Sequence, residues 1–125
     1  MRNEQILSLR PSLNLPETET GVHEHFQNNT LRPILKYQHD LLVLIFKNYI
    51  EKRKNTFHAL SKPQKLSYIE QAIKTDLKFK NRLFGVIIGH FTSEEFAVFS
   101  ENETELLRRL TDLLVQRLQS EMNTF

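Results

Sequence analysis

With 125 residues, of which 39% are apolar and 26% charged, the chain has the size and balance of one globular domain, which excludes wholesale disorder and a fibrous repeat. It contains no cysteine, so a disulfide framework, a thiolate zinc site and a cysteine nucleophile are excluded together. The net charge is only +2, yet residues 22–91 hold 12 Lys or Arg against 5 Asp or Glu (+7), and residues 92–125 hold 3 against 7 (−4). That asymmetry suits nucleic acid or an acidic partner. The plainer explanation is a basic middle paired with an acidic last helix inside one fold or one dimer.

Residues 1–21 show no helical periodicity, contain Pro11, Pro16 and Gly21, and include the polar run Glu17-Thr18-Glu19-Thr20. They read as an extended arm draped on the rest, with Leu7, Leu9, Leu13 and Leu15 lying across a groove. No secretory signal is expected at this end, and the longest apolar run, Leu41 to Phe46, is far short of the roughly 18 to 20 residues that span a bilayer. A cytoplasmic protein is expected.

The first long helix is signalled by Asn28, Asn29 and Thr30 as caps and by Pro33 in the first turn, with a possible extension back through Val22. Leu31, Ile34, Leu35, Leu41, Leu42, Ile45, Phe46 and Tyr49 keep the helical spacing of a buried stripe that closes on Glu51-Lys52-Arg53-Lys54, and Val43 and Leu44 add apolar surface beyond it. The middle of this helix should therefore be buried nearly all round, either centrally or against a second copy. Ser61-Lys62-Pro63-Gln64 is a capping box that opens a second helix carrying Leu66, Ile69 and Ile73. A break is expected near Thr75-Asp76, followed by a third apolar face through Leu77, Leu83, Phe84, Ile87, Ile88 and Phe91, interrupted by Gly85 and Gly89. Thr92-Ser93-Glu94-Glu95 and Ser100-Glu101-Asn102-Glu103 read as two further boxes, opening a short helix near 93–99 and a last helix that buries Leu106, Leu107, Leu110, Leu113, Leu114 and Leu118. Glu105 and Arg109 form a pair at four-residue spacing on that helix.

The chemistry on offer is sparse. His23-Glu24-His25 places its imidazoles on different sides of a helix, and neither of the helical patterns that hold zinc or a di-iron centre is present, so no metal site is expected. His39, beside Asp40, and His90 supply groups that titrate near neutral pH, and with Arg109 they are the candidate ligand-binding residues if a cleft receives them. Gly85 and Gly89 fit close helix packing, Gly89 near a helix end, and lack the spacing of a phosphate loop. Lys52, Arg53, Lys54, Lys62, Lys65, Lys74, Lys78, Lys80 and Arg82 would trace the surface of a nucleic-acid-binding protein. Residues 61–91 meet a helix-turn-helix only in part, since Asp76 stands where the turn glycine belongs. Arg108, Arg109 and Arg117 lie on an otherwise acidic and apolar helix, where an arginine reaching a carboxylate on a neighbouring helix or subunit would set register.

The stretch Phe26-Gln27-Asn28-Asn29-Thr30-Leu31-Arg32-Pro33-Ile34-Leu35-Lys36, with Gly89-His90-Phe91-Thr92, Glu105-Leu106-Leu107-Arg108-Arg109-Leu110 and Gln116-Arg117-Leu118, resembles a family of short all-helical bacterial proteins of unestablished function. Its members often carry an inherited glyoxalase label. True glyoxalases use paired βαβββ modules with His and Glu metal ligands delivered from strands, and no such strands are legible here, so the resemblance transfers no activity and no catalytic residue.

The expected fold is all-α: an irregular bundle of four to five helices over residues 22–125, with residues 1–21 as the N-terminal arm. The expected function is a non-enzymatic protein-interaction or regulatory module, without cofactor, acting as a homodimer through the helix that contains Leu41 to Phe46. Nucleic-acid binding through the basic 52–82 region, and a small ligand-binding protein or enzyme with a pocket near His39 and His90, are the alternatives.

Overall fold

A computed structural model describes residues 1–13, 21–54 and 56–125; Leu15, Pro16 and the polar run at 17–20 lie outside the described residues. Among the described residues there is no strand, and no helix is long and apolar enough to cross a membrane. The helices are α1 (Arg2–Leu9), α2 (Val22–Phe26), α3 (Arg32–Tyr37), α4 (His39–Glu51), α5 (Lys62–Thr75), α6 (Leu77–Ile88), α7 (Ser93–Glu101) and α8 (Glu103–Ser120). A π-turn over Gln27–Leu31 joins α2 to α3, and short 3-10 turns follow at Thr56–Ala59 and Met122–Thr124.

α8 is the axis of the bundle. Leu106, Leu110, Leu114 and Leu118 recur every four residues and are fully buried, and α8 packs against α2, the π-turn, α4, α5 and α7. The faces brought to it carry Leu31, Ile34 and Leu35, then Leu42 and Phe46, then Ile69 and Ile73, all essentially without solvent contact. At one end Phe46 lies 4.6 Å from Phe125 and 5.7 Å from Phe57, ring centre to ring centre; at the other, Phe91 touches both Phe26 and Phe99 at 5.4 Å.

Caps divide the chain much as its residues suggest. The Ser61 hydroxyl accepts the Gln64 amide while the Gln64 side chain accepts the Ser61 amide, and Thr92 and Glu95 repeat the arrangement at the start of α7. Asp76 ends α5 and caps α6, accepting the Phe79 amide at 3.1 Å. Gly89 closes α6.

Five expectations are corrected. The extended arm instead contains α1, which buries only Ile6 and leaves Leu7 and Leu9 about half exposed; polar side chains hold this helix in place. The first long helix takes in the extension back to Val22, and Pro33 keeps its place in the first turn of α3; proline cannot donate to the carbonyl one turn back, and the ladder opens into the π-turn just ahead. That helix also ends early at Gln38, where ψ is 6° and α4 starts afresh. Leu42 and Phe46 are buried, but Leu41 and Leu44 are 44% and 59% exposed, so α4 is covered on one side only within the chain. The third capping box is not formed: α7 continues through Ser100, whose hydroxyl donates to the Ala97 carbonyl, and α8 starts after Asn102 without a side-chain cap. Finally, no neighbouring helix packs at Gly85, where an added Cβ would meet nothing within 4 Å.

Candidate functional site

The expected ligand residues are not assembled in one place. His90 follows α6 with its ring 5.0 Å from Tyr37; burial, then the charges of Arg10 and Arg2, hold its pKa below the usual imidazole value, and its Nδ1 is buried without a partner. Arg109 donates to Glu105 and Gln27, both at 3.0 Å. Glu105 also receives Arg108 at 2.6 Å, and the two guanidinium groups draw its pKa down to about 2. Arg108 pairs further with Asp112. Among the described residues, none of these arginines, nor Arg117, forms an ion pair with a carboxylate on another helix. His23 meets Asn102 and His25 meets Asn29, so the two imidazoles are separately occupied; among the described residues no three His, Cys, Asp or Glu side chains gather as a metal site would require.

The basic residues also divide. Lys52, Arg53, Lys78 and Arg82 surround a crevice of about 120 Å³ between α4 and α6. There Arg53 lies 3.4 Å above the Tyr49 ring and pairs with Asp76 at 3.0 Å, while burial and a hydrogen bond to Asp76 push the Tyr49 phenol up to about 12. Lys80 lies over Phe84 in another cleft with Lys74, Arg108 and Asp112. Lys65 reaches over Phe57, Lys62 opens α5, and Lys54 sits in the turn after α4 at φ 61°. Among the described residues, these cations are thus shared between at least two clefts.

The side chains with uncommitted charge meet elsewhere, in a cleft of about 560 Å³ between α3, the start of α4 and the last two turns of α8. Arg32 and Lys36 come from α3, one turn apart; His39 and Asp40 open α4; Gln116, Arg117 and Ser120 come from α8, with Glu121 just beyond it. Buried Leu35 and Leu113 line the apolar side. The spacings 32/36 and 113/117 each put residues on one helix face, and packing of α8 brings the two faces together.

The hydrogen bonds fix the chemistry. Arg117 Nη1 lies 3.0 Å from His39 Nδ1, and His39 Nε2 lies 3.1 Å from Glu121 Oε1. A guanidinium is donor-only, so Nδ1 must accept and Nε2–H must donate to the carboxylate: the imidazole is neutral in this arrangement, with its tautomer assigned by its neighbours. Burial first, and then the like charge of Arg32, hold the Arg117 pKa below its ordinary value, with Glu121 opposing. Arg32 spends its Nε on Asn28 Oδ1 at 3.1 Å. Among the described residues, no carboxylate forms an ion pair with Arg32, Lys36 or Arg117. A partly desolvated guanidinium with free N–H groups beside two more cations is the arrangement that binds carboxylates or phosphates.

Of these residues only His39 stands out in the sequence as a ligand candidate. No protein-family model, no curated protein and no solved structure matches the chain.

Proposed function

We propose that the chain is a non-enzymatic binding and interaction module that receives an anionic group in the cleft formed by Arg32, Lys36, His39 and Arg117. The observation that carries this reading is Arg117: a half-buried cation whose one side-chain partner is a neutral imidazole, facing a cleft of the size that takes small ligands, about 300–1,000 Å³. The resemblance to the short helical family supplies no activity that competes with this reading. Calorimetric titration with sulfate and with acetate tests it: the wild type should bind and Arg117→Gln should not, whereas unchanged binding in Arg117→Gln would locate the site elsewhere.

Self-association is a second reading, favoured by Tyr37, Leu41 and Leu44, which recur at helical spacing and are 43%, 44% and 59% exposed. A dimer through this face predicts that Leu44→Asp halves the mass measured by light scattering. A wild type that is already monomeric at high concentration would dismiss it. The nucleic-acid alternative requires the 52–82 lysines and arginines to act from separate clefts; a mass shift on adding mixed short DNA and RNA, lost in high salt, would restore it.

A further inference from the structure

We infer that the anion suited to this cleft is a small, hydrophilic monocarboxylate, taken side-on by the Nε–Nη2 edge of Arg117. The inference rests on the anion-binding reading above and deepens it. A guanidinium offers paired donors to a two-oxygen acceptor along two edges, one formed by both terminal nitrogens and one by Nε with Nη2. Arg117 spends Nη1 on His39 at 3.0 Å, which occupies the first edge. Among the described residues its Nε and Nη2 meet no acceptor, and neither is shut away from solvent. The second edge is open, and the contact that fixes the side chain stays in place when that edge is filled.

The molecule itself shows what fills such an edge. Arg108 holds the two oxygens of Glu105 side-on, with Nε at 3.0 Å and Nη2 at 2.6 Å. Charge narrows the class. Arg32, Lys36 and Arg117 line the cleft together with Asp40 and Glu121, and with His39 neutral they leave +1. One carboxylate closes that count, whereas a dianion would leave an uncompensated negative charge beside two carboxylates. A phosphodiester of a nucleic acid would bring the neighbouring phosphates of its strand toward the same two groups. The rest of the ligand is set by the other walls. Leu35 and Leu113 are only 1% and 7% exposed, so they offer an acyl chain little apolar surface, while Gln116 and Ser120 are exposed and offer hydrogen bonds.

The test is a titration of the full chain with acetate, glycolate, butyrate, sulfate and acetamide at constant ionic strength near neutral pH, followed through the backbone amide signals of residues 113–121. Acetate should bind roughly tenfold more tightly than sulfate, and acetamide, which has the shape without the charge, should not bind. Glycolate should bind at least as tightly as acetate, and butyrate should gain no more than about twofold over it. Arg117→Lys keeps the charge but loses the edge, and should weaken acetate by about tenfold or more. If sulfate binds as tightly as acetate and Arg117→Gln abolishes both, the carboxylate assignment is wrong while the anion site stands. If Arg117→Lys holds acetate as tightly as the wild type does, side-on capture is wrong. If butyrate outbinds glycolate, the hydrophilic assignment is wrong. If no anion moves these signals, or if neither Arg117→Gln nor Arg32→Gln weakens binding of any of them, the site itself is wrong.

Discussion

Arg10 and Arg117 are both drawn out of bulk water, and the contrast between them separates what holds this molecule together from what it offers to a ligand. Arg10 follows α1 with its side chain 8% exposed; its terminal nitrogens donate to both oxygens of Glu95 at 2.5 and 2.6 Å and to the His90 carbonyl at 2.6 Å. Glu95 accepts two more hydrogen bonds, from the Thr92 amide at 2.8 Å and the Thr30 hydroxyl at 2.9 Å. Arg2 reinforces the same seam by donating to the carbonyls of Gly89 and Phe91, and Asn3 accepts the Ser93 amide. Here the charge is paired with a carboxylate, only Arg10 Nε being buried without a partner, and the result is a clamp that ties α1 to the start of α7. Arg117 meets only a neutral ring, in an open cleft beside a second arginine. A buried cation satisfied by a carboxylate fixes structure; one left with free donors is available for recognition.

The largest expected effect tests the clamp. Glu95→Ala removes one side of a buried ion pair and half of a capping box, and should lower stability by about 3 kcal/mol in denaturant titration. A loss below about 1 kcal/mol would place Arg10 among ordinary surface cations. The same pair carries a pH signature. Burial alone would raise the Glu95 pKa, but Arg10, the Thr92 amide and the Thr30 hydroxyl outweigh it and hold the group below its ordinary value. Its contribution is therefore complete above the unfolded carboxylate range of about 4 to 5 and is lost as pH falls through the folded value. The stability gap between wild type and Glu95→Gln should shrink when the melting temperature is followed from about pH 6 down to pH 3.

Ser61→Ala, which removes the capping box of α5 at a site remote from both arginines, should cost about 1 kcal/mol by the same titration and calibrates the comparison. The smallest stability effect should come from Arg117→Gln, within about 1 kcal/mol of wild type in either direction, because removing a partly buried cation without a carboxylate partner breaks no ion pair. A loss as large as that of Glu95→Ala would mean that Arg117 is a second clamp.

The legible parts of the fold are those written in local chemistry. Ser61 and Thr92 lie three residues before a Gln or Glu, Asp76 interrupts an apolar rhythm, and the leucines of α8 recur at helical spacing; each sets its element boundary or face without help from distant residues. α1 escapes because it has no apolar stripe: Ile6 alone is buried, and its anchors lie more than 80 positions away. The π-turn escapes because it depends on how Pro33 is accommodated, and the Ser100 box fails because a serine inside a helix can bond back to its own turn. The cleft follows the same division. His39 is marked by residue type, whereas Arg32 and Arg117 acquire their meaning only when α3 and α8, 85 positions apart at these residues, are packed side by side.

The most direct test of the account follows the arginine side chains themselves. In nitrogen-15-labelled protein, the Nε–H signals of Arg117, Arg32 and Arg10, assigned by substitution to Gln, would be recorded as sulfate is added. Arg117 and Arg32 should shift together along one saturable curve while Arg10 stays in place. A uniform drift of all three, or a saturable shift at Arg10 with none at Arg117, would contradict the division between clamp and binding site.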